Sequence, residues 1–280
     1  MRRLGLGLGL GGRHLPILDG GTLAQNFPAW TQAMAGGLAV PGTIAQNFPA
    51  WTQATAGISG PPGGMVLWLR SDLGVTLSGS NVTGWADQSG NGNNAVGDSG
   101  TQFTYNTSDA NWNSKPSMSV ASGQFMHIAD SAGLKITGAL TLVALVRSTN
   151  VSGFNCLISK GVSSCEWDSY TVTNNTSLIR TSTAQASCTN ITQNVATSVI
   201  MTTDQSSNQQ IYFNGVSKTL NTNTFGAGHV STNPVRLGLR QDSFTQLVGT
   251  CVEFIVYPFY LNSTQVGNLY TYQKNFFGLP

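Results

Sequence analysis

Few residues in this chain could do chemistry. The 280 residues include two glutamates, Glu166 and Glu253, and three histidines, His14, His127 and His229. Glu166 and Asp168 lie two apart in Glu166-Trp167-Asp168. On an extended strand, residues two apart share a face. A pair of carboxylates so placed is the acid-and-nucleophile pattern of glycan cleavage. Glu253 lies in an apolar closing run and is expected to be structural. The histidines are far apart, and no Ser/His/Asp order suggests an activated nucleophile. His127, between Met126 and Ile128, is expected to be a packed or edge-strand residue. Asp87, Ser89, Asn91 and Asn93 set oxygen ligands at alternate positions of a glycine-rich loop, as calcium loops do. With one carboxylate, such a site would be weak, and the preferred reading is a hydrogen-bonded turn closing two strands. Trp112, Asp87 and Asn91 are the candidate ligand-binding residues. Trp85 and Trp112 would stack on sugars if exposed.

Cys156, Cys165, Cys188 and Cys251 form no C-x-x-C pair and have no nearby histidine, which argues against zinc. Two arms, 168–173 and 178–183, read as a hairpin turning at Asn174-Asn175. Cys165 and Cys188 stand nearly equidistant from that turn, which makes them the disulfide candidate. The alternative is four reduced cysteines serving as small core side chains.

Charged side chains make up 9% of the sequence and the net charge is +2. That is no electrostatic footprint for nucleic acid. No apolar run of about 18 residues suggests a membrane span. Turn-forming Gly, Asn, Ser and Thr dominate, with enough aromatic residues for a core: an all-β composition.

Residues 1–64 differ from the rest. After the positive start Met1-Arg2-Arg3, Leu4 to Leu10 alternates leucine with glycine. Extended, it sets Leu4, Leu6, Leu8 and Leu10 on one side. It imitates a secretion signal poorly, because it is half glycine and lacks a small-residue cleavage site. Gly21 to Gly36 then recurs as Gly42 to Gly57, with fourteen of sixteen positions identical. Each copy carries an aromatic pair around Pro-Ala, Phe27/Trp30 and Phe48/Trp51. Such aromatics suit a docking peptide used twice for avidity. A tandem duplication in a tolerant linker is the other reading. Together these eight leucine and aromatic residues are the expected partner-anchoring set of an extended arm, and Pro61-Pro62-Gly63-Gly64 punctuates its end.

From residue 65 to 280, short apolar runs alternate with turns. Asn214-Gly215 marks a two-residue hairpin. Asn262-Ser263-Thr264 can cap one closing helix with Val266, Leu269 and Tyr270 as its stripe, ended by Gly278. The run Leu67-Trp68-Leu69-Arg70-Ser71-Asp72-Leu73-Gly74-Val75 leads to Trp85-Ala86-Asp87-Gln88-Ser89-Gly90-Asn91-Gly92-Asn93-Asn94-Ala95. Leu157-Ile158-Ser159-Lys160-Gly161 and Ile211-Tyr212-Phe213-Asn214-Gly215-Val216 follow. The close is Val252-Glu253-Phe254-Ile255-Val256-Tyr257, then Tyr272-Gln273-Lys274-Asn275-Phe276-Phe277-Gly278-Leu279. In order and spacing these stretches resemble a concanavalin A-like, laminin-G-type jelly-roll domain, as found in bacterial surface proteins and bacteriophage structural proteins.

The resemblance implies two antiparallel sheets packed face to face and binding more often than catalysis. Glycanases resembling this domain need a third carboxylate two residues after the pair, and position 170 is tyrosine. The expectation is therefore a non-enzymatic virion surface protein, tail or head fibre-like and homo-oligomeric. Its arm would bind other virion proteins, and its jelly roll a host glycan or protein. No cofactor is expected beyond the weak calcium loop. A capsid decoration or cement protein and a secreted bacterial lectin are the alternatives.

Overall fold

The computed structural model describes residues 60–161, 166–172, 175–179, 185–226, 230–242 and 246–280. The expected anchoring residues Leu4, Leu6, Leu8, Leu10, Phe27, Trp30, Phe48 and Trp51 lie outside them, as do His14, Cys165 and His229. The chain divides into two units, Met1–Ala54 and Thr55–Pro280, and every described residue belongs to the second.

That unit is an antiparallel jelly-roll sandwich with one C-terminal helix. In the first layer, β5 (Thr104–Asp109) pairs with β6 (Lys115–Val120). β6 and β1 (Leu67–Arg70) lie end to end along one edge of β18 (Gly249–Tyr257). Beyond β18 follow β8 (Leu140–Ser148), β13 (Thr197–Thr203), β14 (Gln209–Phe213) and β15 (Val216–Ser217). The second layer begins with β2 (Val75–Ser78), β3 (Asn81–Trp85), β4 (Ala95–Val96), β7 (Met126–Ile128) and β17 (Val235–Leu237). It continues through β9 (Asn155–Lys160), β10 (Trp167–Val172), β11 (Asn175–Ile179), β12 (Gln185–Thr189) and β16 (Leu220–Thr224).

Residue alternation explains both faces of the first layer. In β8, Leu142, Ala144 and Val146 enter the core between the sheets, while Val143 and Leu145 enter a second cluster beneath the helix. β18 does the same with Phe254 and Val256 against Ile255 and Tyr257. A strand buried on both faces reads as a continuous apolar run, as these two do. A bulge between Cys251 and Glu253 interrupts β18. It directs both Val252 and Glu253 to the helix side.

Helix α1 (Ser263–Phe277) starts in a capping box: Asn262 Oδ1 accepts from Gln265 N, and Gln265 Oε1 accepts from Asn262 N. It ends at Gly278 in the left-handed region, φ 71°. The cap and the stop match the sequence expectation. The stripe differs: Tyr272, with Val266 and Leu269, is buried. Tyr270 instead lies over the β14–β15 turn, where a Cβ on Gly215 would fall 2.6 Å from its ring. Asn214 and Gly215 have φ of 50° and 73°, the two left-handed positions that a type I′ hairpin requires.

The middle hairpin also differs in register. Val172 pairs with Asn175, so the turn comes one residue earlier than expected, and β11 ends at Ile179. The chain then returns as β12, where Cys188 stands opposite Thr176. The other half of that disulfide candidate, Cys165, is outside the described residues. His127 lies on β7, which has neighbours on both sides, so it is not an edge-strand residue.

Candidate functional site

The Asp87 loop is a clasp. Asp87 Oδ1 accepts from Trp68 N and Ser89 N, both at 2.9 Å. Its Oδ2 accepts from Ser89 Oγ at 2.7 Å and Asn93 N at 3.0 Å. Asn91 Nδ2 donates to Met65 O, and Asn93 Nδ2 donates to Val66 O. The carboxylate and both amides are thereby spent on holding the β3–β4 connection to the start of β1. This is the hydrogen-bonded turn, the preferred of the two readings, and four donors occupy the oxygens a cation would need. Asp87 and Asn91 are tied down here rather than presented to a ligand.

Trp112 cannot be a stacking platform in this structure. It is fully buried against Phe277, ring centroids 6.2 Å apart, and its Nε1 donates to Thr250 Oγ1. Trp85 is buried too, donating to Arg70 O. Both indoles find a polar partner for their single N–H, which is what lets tryptophan occupy a core.

The carboxylates are held apart. Glu253 is fully buried and accepts from Trp68 Nε1, Tyr272 Oη and Gln273 Nε2, each at 2.9 Å. Burial raises its pKa, against the pull of those three donors. It staples β1 to the helix through β18, the structural part expected of it. Glu166 stands just before β10, with Oε2 3.3 Å from Lys160 Nζ and accepting from Ser231 N. Asp168 lies on β10 with Oδ2 3.4 Å from Arg240 Nη1. Burial pushes Asp168 up to about 7, against the attraction of Arg240. Glu166 and Asp168 are therefore engaged by different cations.

A polar row crosses the second sheet, and no spacing along the chain signals it. Register aligns His127, Arg236, Ser159 and Asp168 on adjacent strands. Arg236 packs its guanidinium 4.3 Å from the Phe125 ring centroid. Arg236 Nε, Ser159 Oγ and Asp168 Oδ1 are buried and have no hydrogen-bond partner among the described residues.

One open cleft is built at the end of the sandwich. The segment after β12 brings Asn190, Ile191, Thr192 and Val195, and the β14–β15 hairpin brings Phe213, Asn214, Val216 and Lys218. They enclose about 320 Å³. The hairpin's I′ turn sets Val216 outward, 61% exposed. Lys218 Nζ lies 5.2 Å from the Phe213 ring centroid. Asn214 Oδ1 accepts from Ser198 N, which leaves its Nδ2 as a donor. No carboxylate lines the cleft. It therefore offers an apolar floor, neutral hydrogen-bonding groups and one ammonium.

The sequence matches no protein-family model and no curated protein. Solved structures do resemble it. A sialidase of Trypanosoma rangeli superposes with a TM-score of 0.54 at 15% identity, over 75% of this chain and 33% of that one. The binding domain of botulinum neurotoxin serotype G gives 0.52 at 18%, over 77% and 54%. The binding domain of botulinum neurotoxin DC, solved with rat synaptotagmin II, gives 0.55 at 10%, over 75% and 52%. The likeness is one of fold. The chain spans between a third and just over half the length of these three.

Cleft residues from 190 to 218 were invisible in the sequence because no spacing links them. The only cue was the Asn214-Gly215 turn, which fixes where Val216 and Lys218 emerge.

Proposed function

We propose that this chain is a non-enzymatic binding protein whose sandwich recognises a saccharide carrying a negative group. The cleft at the end of β12 and the β14–β15 hairpin carries the reading. Sugar rings have apolar faces and hydroxyl edges. Val195 and Val216, backed by Ile191 and Phe213, suit the former, and Thr192 and Asn214 the latter. Lys218, with no carboxylate beside it, favours an anionic substituent. A volume of about 320 Å³ lies at the small end of ligand pockets and fits one or two rings. Among proteins of this fold, a botulinum neurotoxin type C structure is titled for interaction with two ganglioside molecules, and the sialidase was solved with sialic acid. The separate engagement of Glu166, Asp168 and Glu253 supports binding without hydrolysis.

The setting proposed is a bacteriophage particle, as a tail or head fibre-like surface protein. Residues 1–64 would hold the chain to other virion proteins, and the sandwich would face the host. The Leu/Gly start and the duplicated Phe-Pro-Ala-Trp peptides support this. Imaging purified particles with a labelled antibody tests it: tail density supports an adhesin, and density over the capsid supports the decoration-protein alternative. Absence from particles overturns the virion setting and leaves the cleft reading intact.

A further inference from the structure

Lys160 is the most unusual residue of the sandwich. It ends the apolar strand β9 and its side chain is completely buried. Lysine is almost never buried fully without a partner. Here its three donors are fixed. Nζ donates to Asp130 Oδ1 at 2.6 Å, Asn233 O at 3.0 Å and Ser231 O at 3.1 Å. Glu166, fully buried too, places Oε2 3.3 Å from the same Nζ. Its other oxygen, Oε1, has no partner among the described residues. Lys135 Nζ lies 2.9 Å from the second oxygen of Asp130.

A buried ion pair contributes little net stability, because removing both charges from water costs about as much as their attraction returns. Two carboxylates on one buried nitrogen, with a second ammonium on Asp130, are more than such a pair requires. We propose that Lys160 Nζ and Asp130 Cγ condense into an intramolecular amide, a covalent staple within the second sheet. In the step, Nζ attacks Cγ, the new C–N bond forms, and the Cγ–Oδ1 bond breaks. Glu166 takes in turn the two protons that the Nζ ammonium sheds and delivers both to the departing oxygen, which leaves as water, so Glu166 ends as it began. Lys160 ammonium and Asp130 carboxylate become one neutral amide and one water. No oxidant, cofactor or second substrate enters the balance.

The surroundings favour each part. Two carbonyls and a carboxylate hold Nζ in one place, and reacting groups held this way behave as if at about 10⁵–10⁸ M. Lys135, on Oδ2, stabilises the negative charge that gathers on the oxygen that stays. Condensation also removes two charges from a site that is expensive for them. The Asp130 side chain is 19% exposed, so water has a way out. Lys160 and Lys135 hold Asp130 below the usual carboxylate range, so the ion pair is the ground state and the amide accumulates after folding. The staple spans three strands, because β17 lies between β7, which leads into Asp130, and β9.

The test is the intact mass of the aged, purified full chain under denaturing conditions, against Lys160→Arg, which keeps the cation but removes the amine. The wild type is expected to be lighter by one water, beyond the residue difference. Proteolysis should then release a branched peptide joining Lys160 to Asp130. Glu166→Gln should keep the full mass. A wild type at full mass, with Lys160 and Asp130 recovered in separate linear peptides, overturns the proposal.

Discussion

At the residue scale, buried acids set how this protein responds to pH. Asp168 has its pKa pushed up to about 7 by burial, and the Arg240 guanidinium that faces it is a long 3.4 Å away. The folded state therefore binds a proton on Asp168 more tightly than the unfolded chain does. Its contribution to stability is whole below the ordinary aspartate range and is lost as pH rises toward 7. Thermal unfolding should show the wild type losing stability between about pH 4 and 7 relative to Asp168→Asn, by at most about 1.4 kcal/mol per pH unit, and levelling off above that. Parallel profiles for the two proteins would contradict this. Glu253 gives a second expectation. Glu253→Ala strands the donors of Trp68, Tyr272 and Gln273 inside the fold and should cost about 3 kcal/mol or more in urea unfolding. A loss below 1 kcal/mol would mean the network is dispensable.

At the element scale, the strands legible in the sequence were those buried on both faces or turned by strong signals. Leu140–Ser148, Thr197–Thr203 and Gly249–Tyr257 have apolar centres and are buried at nearly every position, because neighbouring layers cover both sides. The strands missed were β2, β4, β12 and β16. β2 and β16 are mostly exposed, and Leu220-Asn-Thr-Asn-Thr is strand only because β12 pairs with it. Pairing, not propensity, decides such segments. The site was harder still. The Asp-Gln-Ser-Gly-Asn-Gly-Asn block was conspicuous as sequence yet serves closure. The cleft depends on how a loop and a hairpin meet. That hairpin gives the element-scale prediction. At Gly215 a side chain meets both φ 73° and the Tyr270 ring. Gly215→Ala should lower stability by about 1–3 kcal/mol and displace the hairpin from α1, read by urea unfolding and amide shifts of Val216 and Lys218. An unperturbed hairpin would contradict the packing described.

At the scale of the whole molecule, a rigid jelly roll joins a 64-residue segment of different composition. If the proposed virion setting holds, deleting residues 1–60 should leave a sandwich that unfolds cooperatively but no longer incorporates into particles. Failure of the truncated chain to fold would place the segment in the core and end the anchoring reading. The central claim, however, concerns the cleft. The most direct measurement is binding of the full chain to an array of neutral, uronic-acid and sialic-acid glycans, alongside Lys218→Ala. Lys218 lies on the cleft wall with no ion-pair partner among the described residues, so its loss should spare the fold. The account predicts selective retention of acidic glycans by the wild type and at least a tenfold loss in Lys218→Ala, about 1.4 kcal/mol. Retention of no glycan, or equal retention by the variant, would contradict it.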